Sequence, residues 1–273
     1  MTALAIAIHG AGGRMGRALV GLILDSDALD LVAATESESS SVLGQDAGAL
    51  AGRAPCGVSV RADLPAAFAK ADVVVDFTRP EGTLDALEAL TLKPKPLVTG
   101  TTGMNPAQQQ RLNDYSQQAA VVQAANFSIG VNVCIRLTEL AAKVLDQDAD
   151  IEVIEAHHRH KVDAPSGTAL RLGRAAAEVT GRSLDADAVY SRVGQTGPRP
   201  PRAIGFSTIR AGDIVGDHTV LLACEGEQVE IRHRATSRAN FAQGALRAAR
   251  WATQQSSGLY DMPDVLGLAN IQA

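Results

Sequence analysis

Three of the six histidines of this 273-residue chain fall within four positions, at His157, His158 and His160. They lie in the run Glu155-Ala156-His157-His158-Arg159-His160-Lys161-Val162-Asp163-Ala164-Pro165-Ser166-Gly167-Thr168. Histidine titrates near neutrality and serves as a general acid, while lysine supplies a fixed charge or, when desolvated, a second transferable proton. Ser166-Gly167-Thr168 stands before a helical pattern, so its N–H groups and the Thr168 hydroxyl form a ready carboxylate site. The combination reads as a proton donor beside an anion cradle. Zinc is the competing chemistry, because His158 and His160 at i, i+2 could ligate from one strand face. Arg159 and Lys161 crowd that pair with positive charge and no third ligand follows from spacing, so no metal is expected. Plainer roles stay open: Ser166 as a helix N-cap, His160 as a loop residue.

A second constellation lies near the start of the chain. Gly10-Ala11-Gly12-Gly13-Arg14-Met15-Gly16 follows an apolar strand and opens a helix. In that setting glycines permit a tight turn and close approach to a pyrophosphate, and the helix N–H groups point at it. The spacing departs from G-x-G-x-x-G, since position 15 is Met. Glu36 ends the next expected strand, where an acid hydrogen-bonds the adenosine ribose, with Ser37 beside it. The alternative for Glu36 is a solvated loop carboxylate. A phosphate loop of the G-x-x-x-x-G-K-[ST] type is excluded here. Ligands of open parallel sheets bind beyond the carboxyl ends of strands. Phe77-Thr78-Arg79-Pro80, Gly100-Thr101-Thr102-Gly103 and Ala124-Ala125-Asn126-Phe127 therefore join the cofactor candidates, although Asn126 could simply close a turn.

These groups need a scaffold. The chain is 46% hydrophobic and 20% charged, so a sizeable core can form, and with 3% aromatics it must be built from Ala, Val, Leu and Ile. Apolar runs at 4–9, 29–35, 58–60, 73–77, 97–99 and 121–124 alternate with helical patterns at 14–24, 64–69, 83–92 and 107–119. That alternation predicts a Rossmann-type doubly wound parallel sheet over 1–128. After it come a helix at 131–145, a strand at 151–157, a helix at 168–179 and strands at 204–209, 219–224 and 228–233. They predict a second α+β domain over 129–238 carrying a mixed sheet, able to offer a face or edge to a partner subunit. A helix at 240–253 leads a return of 239–273 to the first domain. The Ser/Gly/Ala-rich stretch 36–57 reads as a mobile loop, and 181–202 as a long surface loop. Together the elements set a positively charged pocket around 157–168 facing the nicotinamide edge across an interdomain cleft.

Net charge is −5, which argues against nucleic acid as a partner. Cys56, Cys134 and Cys224 are odd in number and far apart, indicating a reducing compartment rather than a disulfide framework. No signal peptide and no membrane segment is read, so a cytoplasmic location is expected.

The run from Glu152 to Ala169 closely resembles the signature of the 4-hydroxy-tetrahydrodipicolinate (dihydrodipicolinate) reductase family. The resemblance extends to Gly10–Gly16, Asp76–Thr83, Gly100–Gly103, 124–128 and 210–216. It implies NADH- or NADPH-dependent reduction of a cyclic dicarboxylic imine in the diaminopimelate route to lysine, by a homotetramer. By motif, His157 would be the acid/base residue, Lys161 a proton donor, His158 a substrate-carboxylate ligand and Gly167-Thr168 the other carboxylate site. Gly10, Ala11, Gly12, Gly13, Arg14, Met15, Glu36, Ser37, Gly100, Thr101, Thr102, Ala124, Ala125, Asn126 and Phe127 would hold the cofactor. Many relatives carry Arg where this chain has Ser37. Arg pairs a 2′-phosphate and Ser offers one hydrogen bond, so NADH is expected to serve at least as well as NADPH. The competing readings are a dinucleotide-binding redox sensor and a related imine reductase or amino-acid dehydrogenase.

Overall fold

The computed structural model describes residues 2–237 and 239–268, and the chain divides into two compact units. The first spans Met1–Ser128 and Ala239–Gly267; the second spans Ile129–Arg238 and takes in Leu268. Of the expected return of 239–273, the part up to Gly267 falls in the first unit, and 269–273 lie outside the described residues.

The first unit runs β1 (Leu4–His9), α1 (Arg14–Leu24), β2 (Leu29–Thr35), α2 (Ala47–Leu50), β3 (Val60–Arg61), α3 (Leu64–Phe68), β4 (Val73–Asp76), α4 (Pro80–Leu90), β5 (Leu97–Thr99), α5 (Pro106–Ser116) and β6 (Ala120–Gln123). The second follows with α6 (Ile129–Leu145), β7 (Asp150–His157), α7 (Gly167–Val179), α8 (Leu184–Asp187), β8 (Ala188–Val189), β9 (Ile204–Arg210), β10 (Gly216–Cys224) and β11 (Glu227–Ala235). Then α9 (Ala239–Ala252), β12 (Gly258–Tyr260) and α10 (Met262–Leu266) complete the first unit.

Seven parallel strands form the first sheet, in the order β12-β6-β5-β4-β1-β2-β3. The central strands β1 and β4 bury both faces, as helix-covered parallel strands must. Two apolar clusters fill the layers, one of them lined by Ala242, Ala245, Ala248, Ala249 and Ala252 of α9. Small side chains let α9 lie close: a Cβ on Gly244 would sit 1.8 Å from the Phe127 carbonyl oxygen. α5 starts on a reciprocal cap in which Asn105 accepts from Gln108 N and Gln108 accepts from Asn105 N, with Pro106 at the first helical position.

The second unit carries a mixed five-stranded sheet, β11-β10-β7-β9-β8. β11, β10 and β7 pair antiparallel; β7, β9 and β8 pair parallel. Strand alternation puts Ile151, Val153 and Glu155 on the buried face of β7, the two apolar residues in a cluster with residues of α7.

The segment 36–57 is irregular apart from α2 and a single bridge from Asp46 to Ser59. One carboxylate organises it: Asp46 caps α2 and accepts from the N–H groups of Ala49, Cys56 and Gly57. The 181–202 stretch also holds α8 and β8, and Arg192 and Arg199 tie it to Glu152 at 2.8 and 3.0 Å. No helix among the described residues is long and apolar enough to cross a membrane.

Candidate active site

In the first unit, backbone hydrogen bonds step along the carboxyl ends of the strands. Gly10 N donates to Thr35 O, Phe77 N to His9 O, Gly100 N to Asp76 O and Ala124 N to Thr99 O, at 2.9 to 3.2 Å. The glycine loop, the 77–80 turn, the 100–103 loop and the 124–127 segment therefore leave the sheet from one edge. Gly10 takes φ +84°, a left-handed conformation that costs glycine least. A Cβ on Gly16 would lie 2.1 Å from Gly10 O, so this glycine is fixed by the tight strand-to-helix turn. Gly13 caps α1 without a side-chain acceptor, leaving the first-turn N–H groups of an 11-residue helix to an external anion. Glu36 joins this loop directly, its Oε1 accepting from Gly12 N at 2.8 Å. Ser37 beside it is exposed. A backbone donor set at a helix start, with a carboxylate beside it, fits a dinucleotide.

Other cofactor candidates are committed inward. Asp76, 0% exposed, ends β4 and collects donors from four threonines: Thr78 N and Oγ1, Thr83 Oγ1, Thr99 Oγ1 and Thr101 Oγ1, at 2.6 to 3.3 Å. Thr101 thus points its hydroxyl at a structural carboxylate, whereas Thr102 is exposed. Gly100 gives way to the Phe77 ring, which would lie 2.2 Å from a Cβ. Phe127 is buried against Phe77, with ring centroids 5.4 Å apart, so its side chain is core. Asn126 Oδ1 accepts from Ser128 N at 2.8 Å and closes a turn; Ala125 is exposed.

In the second unit, register explains the polar cluster. Glu155 on β7 stands opposite Thr208 on β9 and His218 on β10, and His157 stands opposite Arg210. Cross-strand neighbours on one face touch, so these residues converge above the buried layer. Glu155, 1% exposed, accepts His157 Nδ1 at 2.6 Å on Oε2 and Ser166 N at 3.1 Å on Oε1. The Arg210 guanidinium spans both oxygens at 2.8 Å each, and Thr208 Oγ1 adds a fifth donor at 3.3 Å. Burial pushes the Glu155 carboxyl up, but Arg210, His157 and the Ser166 N–H more than reverse this and hold it below the usual range. No hydrogen bond reaches His157 Nε2 among the described residues. Gly216 makes room for that nitrogen, since a Cβ there would lie 3.1 Å from it.

Ser166 N-caps α7, its Oγ accepting from Ala169 N while meeting His218 Nε2 at 3.0 Å. His218 is buried edge-on to His157, with centroids 5.0 Å apart. Burial, helped by the nearby His157, depresses its pKa to about 4, so it stays neutral. Gly167 opens the 13-residue α7 and is exposed; a Cβ there would meet nothing within 4 Å. An open, capped helix start beside His157 suits a carboxylate.

Lys161 Nζ is paired with Asp163 at 2.7 and 2.9 Å and its N–H closes a turn on His158 O. The lysine hydrogen bond holds the Asp163 carboxyl below its ordinary range. His158 is half-buried and His160 exposed, their rings 6.3 Å apart. Among the described residues no group of three or more His, Cys, Asp and Glu could hold a metal ion. Sequence reasoning gave no role to Asp76, Glu155, Arg210 or His218. For Glu155 the signal was available, because alternation from Ile151 through Val153 places it on the buried face.

Comparison with known proteins matches this architecture in full. The family model described as the N-terminus of dihydrodipicolinate reductase matches residues 4–127, and that of the C-terminus matches 130–266. A 4-hydroxy-tetrahydrodipicolinate reductase of Thiobacillus denitrificans is 56% identical over 263 residues, covering 96% of this chain and 98% of that protein. The solved dipicolinate-bound dihydrodipicolinate reductase from Paenisporosarcina sp. TG-14 superposes with a TM-score of 0.77 at 25% identity, covering 99% of this chain and 100% of that one. An amine dehydrogenase from Mycobacterium smegmatis, 13% identical with a TM-score of 0.64 and 94% of each chain covered, shares the fold alone. The chain belongs to the dihydrodipicolinate reductase family of oxidoreductases.

Proposed function

We propose that this chain catalyses the NAD(P)H-dependent reduction of 4-hydroxy-tetrahydrodipicolinate in the diaminopimelate route to lysine, with His157 as acid/base residue. The carrying observation is the hydrogen bond from His157 Nδ1 to Glu155, which leaves Nε2 as the nitrogen able to hand over a proton next to the open start of α7. The Gly167 and Thr168 N–H groups bind one substrate carboxylate, and His158 binds the other. Lys161 adds positive charge, and with it a second proton source. Preorganised donors of this kind stabilise charge as it develops toward the ring nitrogen and its carboxylate.

The first unit holds the cofactor, through the N–H groups of 10–15, the Glu36 carboxylate and the backbone of 100–102 and 124–127. Bound NAD(P)H supplies the hydride. Glu36 accepts ribose hydroxyls, and the uncharged Ser37 beside it adds no cation of its own for a 2′-phosphate, which supports NADH as at least an equal donor. In this reading the enzyme works in the cytoplasm as a homotetramer assembled through the second unit.

The test is NADH oxidation by the purified chain, coupled to the synthase that forms the cyclic substrate from pyruvate and aspartate semialdehyde. Turnover that needs both the synthase and this chain is expected. No turnover with either nicotinamide cofactor would reject the proposed reaction.

A further inference from the structure

We propose that Glu155, clamped by Arg210, is a positioning residue that fixes at once the tautomer of His157 and the placement of the substrate-carboxylate site. This rests on the catalytic role given to His157 above.

The geometry carries the argument. Oε2 of Glu155 takes the Nδ1 proton of His157 at 2.6 Å, and Oε1 takes the N–H of Ser166, the cap of α7, at 3.1 Å. One carboxylate thus sets the distance between the proton carrier and the helix start that receives a substrate carboxylate. A neutral imidazole bound through Nδ1–H carries its lone pair on Nε2, the nitrogen without a protein partner among the described residues. Arg210 does two things here. Its forked pair on Glu155 prevents rotation of the carboxylate, and Nη2 also donates to Asp163 O at 2.6 Å, anchoring the loop that carries Lys161.

The other polar groups facing this cluster are Thr208 on β9, neutral His218 on β10, and Ser166 and Asp163 on the connecting loop. His233 on β11 stands opposite His218, one strand further away. Glu155 is therefore the anion in direct contact with the ring.

The experiment compares wild type, Glu155→Gln, Glu155→Asp and His157→Gln as full chains. Readouts are kcat and kcat/KM pH profiles, with 15N NMR of histidine-labelled protein to read the His157 tautomer. Wild-type His157 is expected as the Nδ1–H tautomer when neutral. Glu155→Gln removes the anion, so kcat falls about tenfold or more, in the way a wrong tautomer lowers turnover. The carboxamide can offer its NH2 to Nδ1, so the neutral ring shifts toward the Nε2–H tautomer. Glu155→Asp keeps an acceptor-only carboxylate on a shorter arm, so it retains the Nδ1–H tautomer without restoring kcat in full.

An Nε2–H tautomer in wild type overturns the proposal on its own, with no variant needed. So does a Glu155→Gln enzyme that keeps both the Nδ1–H signal and the wild-type kcat. His157→Gln separates this inference from the catalytic reading: unchanged kcat there defeats the role of His157, while the tautomer in wild type and Glu155→Gln still decides what Glu155 does.

Discussion

Each unit buries one carboxylate beside its candidate binding loops, and the two are neutralised in different ways. Asp76 is surrounded by hydroxyls and an N–H, and among the described residues no cation hydrogen-bonds to it. Glu155 is held by a guanidinium, an imidazole, an N–H and a hydroxyl. Dipoles fix position but cannot gain or lose a proton near neutrality, so the Asp76 cluster holds loop geometry. An imidazole among the partners suits the acid/base role proposed for His157 in the second unit, whereas the first unit is proposed to bind its cofactor by shape.

The largest expected effect breaks the rigid side of this contrast. Asp76→Ala leaves the Thr78, Thr83, Thr99 and Thr101 donors without their common acceptor, at a cost of about 3 kcal/mol or more. A urea midpoint close to wild type would show that the four threonines find other acceptors. Asp76→Asn, by contrast, should leave the His157 tautomer signal as it is, unlike Glu155→Gln.

The titrating side predicts an acid sensitivity. His218 has a folded pKa of about 4 against 6.5 for the unfolded chain, so below pH 6.5 the unfolded state binds the extra proton. Its contribution is whole above pH 6.5 and drains away as pH falls toward 4, amounting to about 3 kcal/mol over that window. His218→Gln should flatten this part of the stability curve; an unaltered slope would mean that other groups dominate it. At the small end stands the proposed adenosine site beside Glu36. Ser37→Arg should raise the ratio of kcat/KM for NADPH over NADH by about tenfold, close to 1.4 kcal/mol. A ratio unmoved by the new cation would place specificity elsewhere.

The strands of the first unit were legible because burial of a parallel sheet writes itself as apolar runs. β1, α1, β2 and β5 occupy the expected residues, and their neighbours differ by a few positions. β12 escaped notice because three residues, Gly258–Tyr260, carry no period of their own and become a strand by pairing with β6. The order within 36–57 escaped notice, since one Asp46 carboxylate gathering distant N–H groups leaves no pattern in sequence. The polar run at 155–168 was legible as a cluster but not in its hierarchy. Its acid reads as one more charged residue until register sets Thr208 and His218 on either side of it.

The central claim is that His157, pinned through Nδ1, carries the proton that completes reduction. Steady-state kinetics of His157→Gln in the synthase-coupled assay test it most directly. The account predicts kcat lower by about 100-fold or more, with KM for the cyclic substrate changed far less. A variant turning over at the wild-type rate would contradict it.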